Sequence, residues 1–195
     1  MSRAVLVVAA VALAARMQAA GLQDAAKAVP GLEVELKYAT TDNFLHRDVY
    51  GGLHTCYLRP GAIAKLARAQ QRLPKGYHLR AYDCARPRVV QQAMWQIVRG
   101  TPQQPYVADP AVGSIHALGW AIDLTVVDAT GRPLDMGSPF DAFYEAKHLT
   151  QAQRAHRQLL RDVMVKAGFH PLANEWWHFD GLPPAEARQR ERPLP

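Results

Sequence analysis

Two short segments of this 195-residue chain concentrate side chains that could bind a metal ion. The first, residues 114–123, reads Ser-Ile-His-Ala-Leu-Gly-Trp-Ala-Ile-Asp and carries His116 and Asp123. The second, residues 175–178, reads Glu-Trp-Trp-His and ends in His178. Two imidazoles and a carboxylate are a ligand set that zinc accepts, with a fourth position left for water. The pattern predicts a metal site at His116, Asp123 and His178, provided that the two segments meet in space.

The strand that carries Asp123 favours this interpretation. Side chains alternate across a strand, so Asp123 shares its face with Gly119 and Ala121, which leave room for a metal and a small ligand. A charged residue in an otherwise apolar strand also needs a partner, because burying an unpaired carboxylate is costly. The alternative for any single histidine is a surface or hydrogen-bonded core residue. We assign the other six histidines to that class: His46, His54, His78, His148, His156 and His170.

Two further side chains could act on a substrate beside such a metal. Glu175 lies three residues before His178 and could be the general base that takes a proton from attacking water, or an ordinary glutamate at the start of a strand. In a regular strand residues 175 and 178 face opposite sides, so the backbone must bend between them or Glu175 must lie on the preceding loop. Arg86 could stabilise an oxyanion, clamp a substrate carboxylate, or form only a salt bridge with Asp83.

The elements that must position these residues are a few strands and three helices. Alternation of apolar and polar residues predicts the strands, and apolar residues at helical spacing predict the helices. These elements do not alternate as a parallel doubly wound sheet requires, so the predicted fold class is α+β, with a small, mainly antiparallel sheet flanked by helices. The predicted strands are Leu32–Tyr38, Tyr77–Tyr82, Gly119–Val127 and Trp176–Phe179, and the predicted helices are Pro60–Leu73, Pro87–Arg99 and Thr150–Ala167.

Length and composition indicate one globular domain with a substantial core, because 49% of the residues are hydrophobic and 21% are charged. The net charge of +6 is spread along the chain. Nucleic-acid binding requires lysines and arginines gathered into a patch, so no nucleic-acid partner is predicted. The one dense basic cluster, at Arg188, Arg190 and Arg192, is interleaved with glutamates and is predicted to be a solvated tail.

The N-terminal segment resembles a secretory signal peptide, with Arg3 followed by an apolar run from Ala4 to Ala15 and then small residues. We predict a signal peptide over residues 1–21 and one domain over residues 22–195. The apolar run is too short for a stable membrane span. The predicted location is therefore outside the cytoplasm, in the periplasm, or in the cytoplasm if this segment is not a signal.

The two cysteines, Cys56 and Cys84, lack the spacing of a cysteine zinc site. In an oxidising compartment they could form a disulfide that closes a loop of about 28 residues and contributes about 3 kcal/mol. The alternative is a pair of buried thiols.

Taken together, the two motifs resemble the signature of the D-alanyl-D-alanine dipeptidases, which include the vancomycin-resistance dipeptidases: S-x-H-x-x-G-x-A-x-D followed by E-x-W-H. The resemblance extends to Leu36–Phe44 and to the D-M-G-x-x-F-D loop at Asp135–Asp141. It implies the α+β fold shared by zinc D,D-peptidases and the hedgehog signalling domain. It departs at Cys84-Ala85, where the family usually has Gly-Tyr, and this departure bears on substrate choice. The site residues implied are the zinc ligands His116, Asp123 and His178, the catalytic acid/base Glu175, and Arg86, which stabilises the transition state.

The activity that this resemblance implies is zinc-dependent hydrolysis of D-Ala-D-Ala to two D-alanines, linked to cell-wall peptide metabolism, with one zinc ion per chain. The expected partner is the small dipeptide substrate, with no obligate protein partner. One alternative is a zinc D,D-carboxypeptidase or endopeptidase that acts on peptidoglycan peptides. Another is a non-catalytic module that binds wall peptides or zinc. The presence of Glu175 argues against this module, because a binding protein has no need of a base.

Overall fold

A five-stranded mixed sheet forms the centre of the structure, a computed structural model that describes residues 12–142, 144 and 146–194. The strands are β1 (Gln23–Asp24), β2 (Glu33–Val34), β3 (Tyr57–Leu58), β4 (His78–Asp83), β5 (Ala121–Val127), β6 (His170–Pro171) and β7 (His178–Asp180). The sheet has the order β2-β4-β5-β7-β6, in which β2 and β4 are parallel and the other pairs are antiparallel. β1 and β3 form a separate antiparallel pair. The predicted α+β class is confirmed.

The three predicted helices form close to their predicted bounds. The helices are α1 (described over residues 12–19), α2 (Ala25–Ala28), α3 (Pro60–Arg72), α4 (Arg88–Val98), α5 (Gln151–Lys166) and α6 (Pro184–Arg190). A capping box between Thr150 and Gln153 starts α5, because each side chain bonds the other residue's backbone N–H. Helix α3 begins with proline at its first position, where the missing N–H costs nothing. Helices α3 and α5 pack against each other, and α5 also contacts β5 and β6.

Two local predictions were wrong. The predicted strand Leu32–Tyr38 is a strand only at β2, because Lys37–Ala39 forms a 3₁₀ turn. The stretch Trp176–Trp177 is a turn, so the last strand of the sheet begins at His178. In α4 the apolar residues Val89 and Ile97 are 62% and 42% exposed, whereas Gln91 and Val98 are buried.

The C-terminal segment is packed against the domain, which corrects the prediction of a solvated tail. Helix α6 forms within it, and Leu194 is 1% exposed. The Leu194 N–H donates to the Ala117 carbonyl at 2.7 Å, and Glu191 pairs with Arg59 at 2.9 Å. The segment therefore packs against the turn that carries His116. The arginines themselves are exposed, as predicted.

The N-terminal segment also contacts the core where the structure describes it. Met17 is completely buried, and Arg59 donates a hydrogen bond to the Ala20 carbonyl at 2.5 Å. Residues 1–11, with the charged start and most of the apolar run of the predicted signal peptide, lie outside the described residues. Within the part that is described, no helix has both the length and the apolar character needed to cross a membrane.

Candidate metal and catalytic site

Three neighbouring strands present side chains of the site at matched positions. Asp83 of β4 lies opposite Asp123 of β5, and Asp123 lies opposite His178 of β7. The β4–β5 register shifts between Ala81 and Asp83. Without this irregularity, Tyr82 would oppose Asp123, because a bulge places two residues of one strand against one of its partner. The bulge therefore completes a row of two carboxylates and an imidazole across the sheet.

A 3₁₀ turn at His116–Leu118 brings the second imidazole to this row. The turn ends at Gly119, whose φ of +75° lies in the left-handed region that favours glycine. A β-carbon at this position would also lie 2.9 Å from the Leu22 side chain. The Ser114 hydroxyl accepts a hydrogen bond from the His116 backbone N–H at 3.2 Å. Local sequence therefore fixes both ends of the turn.

The three ligands predicted from sequence converge. One ligand atom from each of His116, Asp123 and His178 lies within 4.8 Å of the others. His116 Nε2 lies 3.2 Å from His178 Nδ1 and 3.3 Å from Asp123 Oδ1, and His178 Nδ1 lies 2.9 Å from Asp123 Oδ1. The side chain of His178 is 12% exposed, and those of the other two are almost fully buried. No other histidine of the described residues belongs to such a group.

The outer ring nitrogens show that this donor set fits a metal. His116 Nδ1 lies 2.8 Å from the Cys84 carbonyl oxygen, and His178 Nε2 lies 3.0 Å from Asp180 Oδ1. In the neutral form that a metal binds, each ring directs its N–H toward this outer acceptor, so the inner nitrogen presents a lone pair toward the other two residues. Imidazoles that ligate metals are held in this way by a carbonyl or carboxylate.

The imidazoles and carboxylates of the cluster shift one another's pKa toward the charged forms. Burial alone would lower the pKa of His178, but hydrogen bonds with Asp123 and Asp180 raise it to about 10. Burial alone would raise the pKa of Asp123, but His116 and His178 hold it well below its usual range. A cluster of this kind binds a proton at the position that a metal cation would occupy, so binding of a metal would release protons.

Glu175 lies on the loop before β7, which was one of the two arrangements expected from its spacing. The His178 N–H donates to the Glu175 carbonyl at 3.4 Å across the turn. This bend brings Glu175 Oε2 to 3.9 Å from His178 Nδ1, with the Glu175 side chain 14% exposed. Burial raises the pKa of Glu175 above its ordinary value, and His178 opposes this shift. A carboxyl group with a raised pKa beside the ligands can both accept and return a proton.

Arg86 forms the salt bridge with Asp83 and also lies beside the ligands. Its Nε and Nη2 lie 3.0 and 2.5 Å from Asp83 Oδ2, and Nη1 donates to Gln91 at 2.8 Å. Nη2 is also 4.0 Å from Asp123 Oδ2, and the guanidinium lies over the Tyr38 ring at 5.1 Å. Burial alone would lower the pKa of Arg86, but Asp83 and other neighbours raise it well above its ordinary value. The side chain is thus charged and held in one orientation.

These groups line one cavity of about 350 Å³, together with a residue that sequence reasoning left without a role. The Asp141 Oδ2 atom is buried and finds no hydrogen-bond partner among the described residues. Its Oδ1 accepts a hydrogen bond from the Tyr38 hydroxyl at 2.9 Å. Burial raises the pKa of Asp141 to about 8. The second carboxylate of the D-M-G-x-x-F-D loop was the signal that could have identified it.

Two further segments line the cavity. The loop over residues 100–113 contributes Pro105 to Ala108 and Gly113. Arg188 of α6 also lines the cavity and donates to the Gly113 carbonyl at 3.2 Å. The basic C-terminal segment therefore forms part of the cavity wall.

Comparison with known proteins gives one consistent result. The sequence profile of the family described as D-ala-D-ala dipeptidase matches residues 18–191. The D-alanyl-D-alanine dipeptidase of Escherichia coli is 40% identical over 170 residues, which cover 84% of this chain and 86% of that protein. Proteins of the same name from Streptomyces coelicolor and Enterococcus faecalis are 32% and 30% identical, over 77% and 76% of this chain and 86% and 85% of their own lengths.

Proposed function

This chain belongs to the D-ala-D-ala dipeptidase family of metallopeptidases, and on that premise we propose that it is a zinc enzyme that hydrolyses D-Ala-D-Ala to two D-alanines. The observation that carries the proposal is the convergence of His116, Asp123 and His178 in a cavity that also holds Glu175 and Arg86. A metal-binding group, a base and a buried cation in one cavity are the components that peptide hydrolysis needs.

Zinc is the metal that we propose for this cluster. Two imidazoles and one carboxylate are the ligand set of a catalytic zinc site with an open fourth position. The outer hydrogen bonds to Cys84 and Asp180 hold both imidazoles in the form that a metal accepts. When bound, the metal supplies Lewis-acid chemistry: it lowers the pKa of water toward 7 and polarises the carbonyl of the peptide bond.

Proton transfer is the role of Glu175. Its carboxylate takes a proton from the attacking water, and the resulting carboxylic acid delivers that proton to the departing amine. The raised pKa supports both steps, because a group that titrates nearer to neutral pH gains and loses its proton more readily during turnover. The loop position lets the carboxylate approach the ligands from the side of the cavity.

Charge stabilisation is the role of Arg86. The oxyanion that forms when water adds to the carbonyl lies beside the ligands, and Arg86 Nη2 is 4.0 Å from Asp123. Because Asp83 and Gln91 already hold the guanidinium, no reorientation is needed as the negative charge develops.

The ends of the cavity support a dipeptide as the substrate. Asp141 Oδ2 is a buried oxygen that finds no hydrogen-bond partner among the described residues, and it can accept a hydrogen bond from the ammonium group of a free dipeptide, since a buried acceptor is costly until it receives one. The cavity volume of about 350 Å³ is at the lower end of the roughly 300–1,000 Å³ found for small-molecule sites. A longer peptide lacks an ammonium group at that position.

We also propose that the enzyme acts in the periplasm. The disulfide between Cys56 and Cys84 supports this location, because structural disulfides persist in oxidising compartments and are rare in the cytosol.

The experiment that tests the proposed activity compares two substrates. Zinc-loaded protein is incubated with free D-Ala-D-Ala and, separately, with an N-acylated tripeptide that ends in D-Ala-D-Ala, and released amine is measured. We expect cleavage of the dipeptide alone, with L-Ala-L-Ala as a control for stereochemistry. Cleavage of the acylated peptide would favour the carboxypeptidase alternative. No cleavage of either substrate by protein that holds zinc would overturn the enzyme assignment in favour of a binding module.

A further inference from the structure

The disulfide lies directly behind the candidate metal site. Cys56 and Cys84 are bonded to each other, with their Cα atoms 5.3 Å apart and both residues almost completely buried. Cys84 follows Asp83, the salt-bridge partner of Arg86, and precedes Arg86 by two residues. The bond therefore anchors the segment that carries one of the proposed catalytic side chains.

The backbone of Cys84 also contacts the ligands. Its carbonyl oxygen is the acceptor that lies 2.8 Å from His116 Nδ1, and its N–H donates to Asp83 Oδ1 at 2.9 Å. The next two residues continue these contacts, because Ala85 N–H donates to the Tyr57 carbonyl at 2.9 Å and Arg86 N–H donates to the His116 carbonyl at 3.0 Å. The orientation of the His116 ring thus depends on where the backbone at residue 84 lies.

The segment that carries Cys84 lies between two regular elements. Strand β4 ends at Asp83 and helix α4 begins at Arg88, so residues 84–87 belong to neither a strand nor a helix. No side chain caps the start of α4. The disulfide is the one covalent link between this connection and another part of the fold, at Cys56 beside β3. Besides the disulfide, this connection is held by the backbone hydrogen bonds of residues 84–86 and by the ion pair of Arg86 with Asp83, none of which is covalent.

We propose that the Cys56–Cys84 disulfide is a positioning element of the metal site: it holds the Cys84 carbonyl that orients His116 for metal binding. This inference rests on the metal site proposed above. Groups that orient a metal-ligating histidine typically change metal affinity by 10–100-fold when they are removed. The disulfide acts through the backbone, so its loss changes metal affinity and kcat and leaves KM nearly unchanged.

The test measures zinc affinity in the Cys56→Ala/Cys84→Ala variant by competition with a chromophoric chelator. The control is Leu160→Ala, which destabilises the protein from α5 by removing a fully buried side chain that does not line the cavity. Both variants are studied at a temperature where circular dichroism shows them folded. We expect zinc affinity to fall about 10–100-fold in the double variant and to stay within about twofold of wild type in the control.

The cobalt-substituted proteins provide a second readout, because visible absorption reports ligand geometry around cobalt. We expect a changed spectrum for the double variant only. Wild-type zinc affinity and an unchanged spectrum in the double variant would overturn the proposal, and so would an equal loss of affinity in Leu160→Ala.

Cys56→Ser/Cys84→Ser is the second variant, for use if the alanine pair does not fold. If neither pair folds, the disulfide serves the fold as a whole and the positioning role is overturned. Failure of the wild-type protein to bind zinc is a different result, since it contradicts the proposed metalloenzyme itself.

Discussion

Replacement of Glu175 by glutamine should lower the turnover rate without lowering the stability of the folded protein. Glutamine has nearly the same shape but cannot accept the proton of the attacking water. Removing a general acid/base typically lowers turnover by 10²–10⁴-fold, which corresponds to about 3–5 kcal/mol in the activation barrier. Metal affinity should remain near that of wild type, since Glu175 lies 3.9 Å from His178 Nδ1 and is not one of the three converging ligands.

The stability of the metal-free Glu175→Gln variant should not fall at neutral pH. Burial raises the folded-state pKa of Glu175 above its value of about 4.3 in the unfolded chain. A raised pKa contributes stability that is present below the unfolded value and is lost as the pH rises through the folded value. At neutral pH the wild-type protein therefore gains nothing from this carboxyl group, and glutamine removes the cost of ionising it.

Three measurements complete this test: kcat for D-Ala-D-Ala, zinc content after dialysis, and urea unfolding of the metal-free protein at pH 7. The matched control is Glu186→Gln, an exposed glutamate of α6 whose pairing with Arg190 is worth about 1 kcal/mol or less. Its kcat should equal that of wild type. A Glu175→Gln enzyme with kcat within about tenfold of wild type, or one that has lost its zinc, would refute the assignment of Glu175 as the base.

Three further changes test the surroundings of the site. Asp180→Asn should lower zinc affinity about 10–100-fold, measured by chelator competition, because Asp180 orients His178; unchanged affinity would contradict that role. Asp141→Asn should raise KM for the dipeptide. In metal-free wild-type protein, the raised pKa of Asp141 makes the free energy of unfolding fall between about pH 4 and 8, because the folded state keeps a proton that the unfolded chain releases. Asparagine should remove this fall. Urea unfolding at pH 5 and pH 8 checks this slope, and an equal slope in both proteins would contradict it. A chain that begins at Leu22 should be less stable by at least about 2 kcal/mol than one that begins at Ala15, because it lacks the buried Met17; equal urea midpoints would show that Met17 contributes little.

The convergence of His116, Asp123 and His178 could be predicted from sequence because metal binding needs specific residue types at specific positions. His116, Asp123 and His178 lie in segments where neighbouring glycines and apolar residues restrict what else an imidazole or carboxylate could do. The long helix α5 was predictable for a similar reason, since a capping threonine and a terminal glycine mark its ends. The bounds of α5 follow from local sequence alone, whereas the meeting of Asp123 with His178 also depends on the pairing of β5 with β7.

The remaining features depend on contacts between distant segments. Nothing in the alternating sequence near β2 shows that Lys37 pairs with Glu35 and Asp42 and lies in a 3₁₀ turn. The exposure of Val89 depends on which side of α4 the core lies. The role proposed for Asp141 depends on a buried oxygen that has no hydrogen-bond partner among the described residues, which only the packed structure defines.

Arg86 connects the stability of this fold with its chemistry. The register places the carboxylates of Asp83 and Asp123 opposite each other on adjacent strands, and like charges at such positions repel. Arg86 Nη2 lies 2.5 Å from one carboxylate and 4.0 Å from the other, so its charge offsets this repulsion. A cation bound at His116, Asp123 and His178 would offset the charge of Asp123 from the other side. In the proposed mechanism, the same guanidinium that offsets the repulsion between two buried carboxylates also stabilises the oxyanion.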